Sequence, residues 1–208
     1  MKDFLRGIDI SKHNIVEDWD MVKDQVDFVI LRAGGCFNGN YKDPKFEGYY
    51  NECKKRGIPV GAYYDAGKVF IGTSVGKEYA QHFLGLLSGK QFEMPVYVDI
   101  EVTPKKFRTW ITDAAIEFCK TMEDHRYFVG IYGSDISTFA EALEIKRLEA
   151  FCKWVARYGN KKPSYVRDWH MWQYSSTGSI KGIKGNVDLD YTTINFPKVM
   201  KGVHLNGY

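Results

Sequence analysis

Short apolar runs rich in Val, Ile, Tyr and Phe, bounded by Gly, Pro or Asp, recur along the chain at 7–11, 28–33, 60–65, 96–101, 129–133, 153–158, 171–174 and 187–191. Runs of this length and makeup read as strands. Between them, apolar residues return with helical spacing at about 18–25, 43–56, 74–88, 109–124 and 137–151. The clearest helix carries Phe46, Tyr49, Tyr50 and Cys53 at i, i+3, i+4 and i+7. Gly57 is expected to end it as a left-handed cap, and Pro59 to open the next strand. Ala114, Phe118, Cys119 and Met122 outline a second, less regular apolar face.

Strands alternating with helices predict parallel strands joined by right-handed crossovers. So many strands in a chain of 208 residues leave no room for eight full strand–helix units, and the last three strands are too close together to carry helices. The expected fold class is α/β: an irregular, compact TIM-like β/α barrel with about eight strands and fewer than eight helices. A doubly wound sheet is the alternative. One catalytic domain is expected over 1–208, with the barrel at about 5–196 and a C-terminal extension at about 197–208 lying on the surface.

Composition narrows the function. Hydrophobic residues make up 44% and charged residues 26%, as in an ordinary globular domain. The net charge of +3 and the lack of a basic run give no footprint for nucleic acid. No apolar stretch reaches the length of a membrane span. The N-terminus, Met-Lys-Asp-Phe-Leu-Arg-Gly-Ile-Asp, has no apolar segment of the secretory kind. Cys36, Cys53, Cys119 and Cys152 are widely spaced, with no Cys-x-x-Cys. That disfavours zinc and reads as reduced thiols in a core. Aromatics reach 15%, enough for both a core and a sugar-binding cleft.

In a parallel barrel the active site gathers at the C-terminal ends of the strands. Three candidate strands end in acid: Gly-Ile-Asp9, Val-Tyr-Val-Asp99-Ile-Glu101 and Gly-Asn-Val-Asp188-Leu-Asp190. Asp99 and Glu101, at i and i+2, share one face of their strand, while Val96, Val98 and Ile100 take the other. Two neighbouring carboxylates are costly as a structural device, since repulsion and desolvation both raise their pKa. The same arrangement keeps one acid protonated beside an ionised neighbour, the pairing that cleaves glycosidic bonds. A lone Asp9 would read as a turn or cap, but three acidic ends around one mouth favour a site. A divalent metal held by oxygen ligands is the competing chemistry. Tyr63, Tyr64, Tyr132, Trp154 and Trp172 sit near strand ends, where flat rings with polar tips suit sugars; core packing is their competing role. His13 lies in the loop after the first strand. Arg32 and Arg157 are expected to meet an anionic part of the substrate or to pair with one of the acids.

Taken in order, these segments resemble the lysozymes of glycoside hydrolase family 25, the Chalaropsis-type muramidases found in phage endolysins and bacterial autolysins. The resemblance runs through Gly7-Ile-Asp-Ile-Ser-Lys-His, Asp27-Phe-Val-Ile-Leu-Arg-Ala, Gly57-Ile-Pro-Val-Gly-Ala-Tyr-Tyr, Pro95-Val-Tyr-Val-Asp-Ile-Glu, Val129-Gly-Ile-Tyr-Gly-Ser, Trp154-Val-Ala-Arg-Tyr, Met171-Trp-Gln-Tyr-Ser-Ser and Gly185-Asn-Val-Asp-Leu-Asp. It spans nearly the whole chain.

The resemblance implies cleavage of the β-1,4 bond between N-acetylmuramic acid and N-acetylglucosamine in bacterial peptidoglycan, with no metal or organic cofactor. By position it makes Glu101 the general acid and Asp99 the carboxylate beside it, with Asp9 and Asp188 completing the catalytic set. Tyr64, Tyr132, Tyr63, Trp154, Trp172 and Arg32 are the candidate substrate contacts. Asp190 replaces the Asn usual in the family's last segment. Retention through the substrate's 2-acetamido group and inversion both remain open. The partner is the wall itself, not nucleic acid or membrane, together with a wall-binding module in a longer parent chain. Two routes to the wall are expected: release from a host cytoplasm through a holin, or secretion within a larger protein. A non-catalytic glycan-binding barrel and another barrel glycosidase are the alternative functions, and a carboxylate–metal phosphoesterase is a third.

Overall fold

The computed structural model describes residues 4–101 and 105–208. Eight strands close into a barrel: β1 (Leu5–Ile10), β3 (Phe28–Cys36), β5 (Val60–Asp65), β6 (Val96–Asp99), β7 (Val129–Ser134), β8 (Cys152–Ala156), β9 (Met171–Gly178) and β11 (Val187–Thr192). From β1 through β3 to β9 the neighbours pair in parallel, and β11 then closes the gap antiparallel to both β9 and β1. All eight predicted strands form. Sequence periodicity does not mark β2 (Ile15–Val16), which pairs with β10 (Ile183–Lys184), or β4 (Asn40–Lys42), which hairpins onto the end of β3. These pieces are too short to show a period.

The α-helices are α1 (Trp19–Lys23), α2 (Phe46–Arg56), α3 (Thr73–Leu87), α4 (Arg108–Asp124) and α5 (Phe196–Gly202). Asp18 caps α1 by accepting from the backbone N–H groups of Asp20 and Met21. Gly57 ends α2 at φ 67° as expected, a backbone conformation that only glycine adopts freely. The helix expected over 137–151 does not form as one piece. A π-helical turn at Asp135–Ala140 and a 3-10 turn at Ile145–Leu148 take its place.

Alternation along each strand builds two cores. Ile8, Val29, Leu31, Ala62, Tyr64, Val96, Val98 and Ile131 point outward against α2, α3 and α4. Phe28, Ile30, Tyr63, Tyr97, Tyr132, Trp154 and Met171 fill the barrel itself. Glycines make room for the large inner rings. A Cβ at Gly7 would lie 2.3 Å from the Phe28 ring, and one at Gly130 would lie 2.8 Å from Tyr97. The C-terminal segment is not a surface extension. Phe196 and Met200 of α5 join the inner core, and Asn206, fully buried, bonds to Met94 O, Phe128 N and Phe92 N. It seals the end opposite the acids.

Candidate active site

The strand register sets the mouth. Asp65, Asp99 and Tyr132 are lateral neighbours on β5, β6 and β7. Across the barrel, Asp9 of β1 lies opposite Asp188 of β11. Glu101 follows β6 and faces the same cavity, a space of about 170 Å³. Trp154 forms much of its floor, 4.4 Å from Tyr132, 5.1 Å from Tyr97 and 6.1 Å from Tyr63 between ring centres. Tyr158 stands at the rim, 57% exposed.

Polar groups link the floor to the acids. Tyr132 and Tyr158 donate to Gln173 Oε1 at 2.8 and 3.1 Å, and Gln173 Nε2 donates to Asp9 Oδ2 at 2.7 Å. Tyr132 also makes a long 3.5 Å contact with Glu101 Oε1. Trp154 Nε1 donates to Asp190 Oδ1 at 2.8 Å. Asp99 Oδ1 is buried, and no group among the described residues donates to it.

So many acids in so little water hold their protons tightly. Burial, then Glu101 and Asp65, raise Asp99 well above the usual carboxylate range against the pull of Arg32. Burial, then Asp190 and Asp188, raise Asp9, while the Gln173 amide opposes the shift. The Glu101 residue is exposed at the rim, but its carboxyl looks into the cavity. There burial, Asp65 and Asp188 raise it, and Tyr132 opposes. Burial also raises Asp188. Asp190 is wholly buried, and its Oδ2 has no hydrogen-bond donor among the described residues. Burial and the neighbouring Asp188 raise Asp190 well above the usual carboxylate range, against the Trp154 N–H, and its charge in turn raises Asp9.

A stability test follows. The folded chain keeps protons that the unfolded chain gives up near pH 4, so stability falls as pH rises from about 4 through the raised folded-state values. Asp190→Asn keeps an acceptor for Trp154 without a titrating group. It should melt a few degrees above the parent at pH 7.5, where about 1 kcal/mol corresponds to about 2–4 °C at this size, with a smaller difference at pH 5. Thermal melts at both values check this; parallel pH dependences would refute a raised, buried Asp190.

The cavity gathers Asp9, Asp99, Glu101, Asp188, Tyr63, Tyr132, Trp154 and Arg32 of the expected residues. Two lie elsewhere. Tyr64 faces outward on β5, against Tyr79, Phe83 and Phe118, and its hydroxyl bonds Asn40 at 2.8 Å. Trp172 likewise points away, packing on Trp169 and Tyr174 and donating to Arg157 O. Strand alternation already separates them, since Tyr63 and Asp65 share one parity and Tyr64 the other. The arginines pair with acids outside the catalytic set: Arg32 with Asp43, and Arg157 with Asp135. Asp65, Gln173 and Tyr158 line the cavity without having been singled out, and same-face spacing from Tyr63 was the available signal for Asp65. The carboxylates are the groups that could take a hard cation, yet among the described residues no three His, Cys, Asp or Glu side chains form a metal-binding group.

The family model for glycosyl hydrolases family 25 matches residues 8–183. The chain belongs to this family. Among curated relatives, the autolytic lysozyme of Clostridium acetobutylicum is 24% identical over 198 residues, covering 89% of this chain and 55% of that protein. Lysozyme M1 of Streptomyces globisporus is 29% identical over 203 residues, covering 88% and 66%. The chain thus spans just over half to two thirds of the length of these curated relatives. The crystal structure of the CTP1L endolysin superposes with a TM-score of 0.80 at 27% identity, covering 95% of this chain and 70% of that one. The family-25 barrel accounts for the eight closed strands with fewer than eight helices.

Proposed function

We propose that this chain is the catalytic domain of a peptidoglycan hydrolase that cleaves the β-1,4 bond between N-acetylmuramic acid and N-acetylglucosamine. Its lysozyme relatives and the acid-lined cavity support the reading. The observation that carries it is Asp99, whose buried Oδ1 has no donor among the described residues and lies beside Glu101. Asp99 lies deeper than the more open Glu101, so desolvation weighs more heavily against its charge. A substrate 2-acetamido N–H placed at Oδ1 supplies the missing donor and favours ionised Asp99. The proton of the pair then resides on Glu101, which delivers it to the leaving glycosidic oxygen. The acetamido oxygen, oriented by Asp99, attacks the anomeric carbon as the bond to the protonated leaving oxygen breaks; a water that gives its proton back to Glu101 then opens the resulting oxazolinium at the same carbon, giving retention without an enzyme nucleophile. Asp9, held by Gln173, and Asp188 maintain the acidic field, and the Tyr158 ring walls the sugar at the rim. Tyr63, Tyr132 and Trp154 serve as floor rather than as open platforms.

The work site is the bacterial wall, reached by release through a holin or as part of a longer secreted protein with a wall-binding module. Incubation with purified peptidoglycan should release muropeptides whose new reducing ends are muramic acid, read by mass spectrometry after borohydride reduction. EDTA should leave the rate unchanged. Reducing ends on glucosamine would make the chain a different glycosidase, binding without release would make it a glycan-binding barrel, and loss on chelation would favour the metal chemistry.

A further inference from the structure

Beside the acid cavity lies a second, more open cleft of about 470 Å³, and the two share Arg32 and Asp65 as a common wall. Its far side is built from the loop after β1, with Lys12 and His13, and from the β3–β4 hairpin, with Phe37 and Tyr41. A register shift in β3 between Arg32 and Gly34 marks a bulge where that strand leaves the barrel for the hairpin. Asp43, buried, clamps the assembly by accepting from Arg32 Nε and from the backbone N–H groups of Lys12 and Lys45.

The charge in this cleft is opposite in sign to that of the cavity. Among the described residues, neither Lys12, His13 nor Lys68 has a carboxylate within ion-pair distance. Lys12 Nζ lies 5.7 Å from the Tyr41 ring centre and Lys68 Nζ 5.3 Å from that of Phe37. Lys42 is neutralised by Glu47 at 2.6 Å. The local carboxylates are already engaged: Asp43 with Arg32, and Asp65 with Tyr41 Oη and the Gly67 N–H. Arg32 Nη2, at the shared wall, has no acceptor among the described residues. Phe37 is 59% exposed, an apolar surface beside unpaired cations.

An uncharged sugar suits a cavity lined by five carboxyl side chains; an anion does not. An anion attached to that sugar has its complement next door. We infer that this cleft is a subsite for the carboxylates of the peptide carried on the muramic acid lactyl group, with Lys12 as the recognising cation, His13 as a polar side chain beside it and Phe37 as a contact for the peptide chain. The assignment rests on the peptidoglycan reading above and adds a requirement to it: the substrate is the peptide-bearing strand.

The test uses peptidoglycan freed of phosphate polymers with hydrofluoric acid, half of it then stripped of peptides with an N-acetylmuramoyl-alanine amidase. For the parent, kcat/KM for reducing-end release should be at least fivefold higher on the peptide-bearing form. In Lys12→Glu/His13→Ala that ratio should collapse toward one, through KM, while Lys12→Arg should preserve it. Equal losses on both substrates, or an unchanged ratio, would overturn the subsite. So would a loss seen only with walls that retain phosphate polymers, which would make the anion a phosphate. Co-sedimentation of Glu101→Gln with the two substrates separates this inference from the catalytic one. A fivefold binding preference erased by Lys12→Glu/His13→Ala supports the cleft even if the parent cleaves neither substrate, and no preference overturns it even if the parent cleaves both.

Discussion

Glu101→Gln should lower kcat on peptidoglycan by about 10²–10⁴-fold, the usual worth of a positioned general acid, with little change in KM or melting temperature. Glutamine has the same shape and cannot donate a proton of the needed acidity. The small structural cost follows from the position of Glu101 at the rim, where its one hydrogen-bond contact among the described residues is the long one from Tyr132. The pH profile is the sharper readout. Desolvation, Asp65 and Asp188 raise the Glu101 pKa, so the parent should lose activity as pH rises through that raised value, and on the basic side the residual activity of the variant should not follow the same limb. Turbidity loss and reducing-end assays across pH 4–9 check both. Retention of more than a few per cent of the parent rate would remove Glu101 as the proton donor. Asp99→Asn should be comparably damaging, because it replaces the carboxylate that receives the substrate N–H by a neutral group.

Trp154→Ala should be the most damaging single change to the fold. The side chain is 1% exposed and touches the rings of Tyr63, Tyr97 and Tyr132. Removing a buried indole costs about 3–5 kcal/mol in transfer and cavity terms. Its N–H is also the donor to Asp190 Oδ1, so truncation leaves a buried carboxyl without its partner and adds a further penalty. At about 2–4 °C per kcal/mol, the melting temperature should fall by roughly 10 °C or more. Trp154→Phe separates the two contributions: it keeps most of the ring and loses only the donor, and should fall by less than half as much. Equal losses would mean that the hydrogen bond, not the packing, carries the stability.

Much of this was legible in one dimension. The eight strands are apolar runs of ordinary length, and the two-residue period placed Asp99 and Glu101 on one face with Tyr97 beneath them. Gly57 announced the end of α2 because few other residues tolerate its backbone angle. The same parity, applied to Tyr63 and Tyr64, separates the ring on the cavity floor from the one against the helices. Helix reading failed at 137–151, where a π turn and a 3-10 turn divide the segment. The tail misled because α5 is short, and the burial of Asn206 depends on Met94 and Phe128, both far away in sequence.

What the sequence determined by itself is what a strand or a helix decides locally: the order of elements, the face each side chain takes, and the acids at the strand ends. Only the closed barrel decided which of those acids meet. Closure sets Asp9 opposite Asp188 and above Asp190, turns Gln173 inward to bond Asp9, and ties Arg32 to Asp43 rather than to the catalytic set. It also lays an uncompensated cationic cleft against an acidic cavity. Local periodicity follows from backbone geometry that each residue senses alone. Adjacency across a barrel is set by register, shear and loop packing, which involve residues as far apart as Asp9 and Gln173.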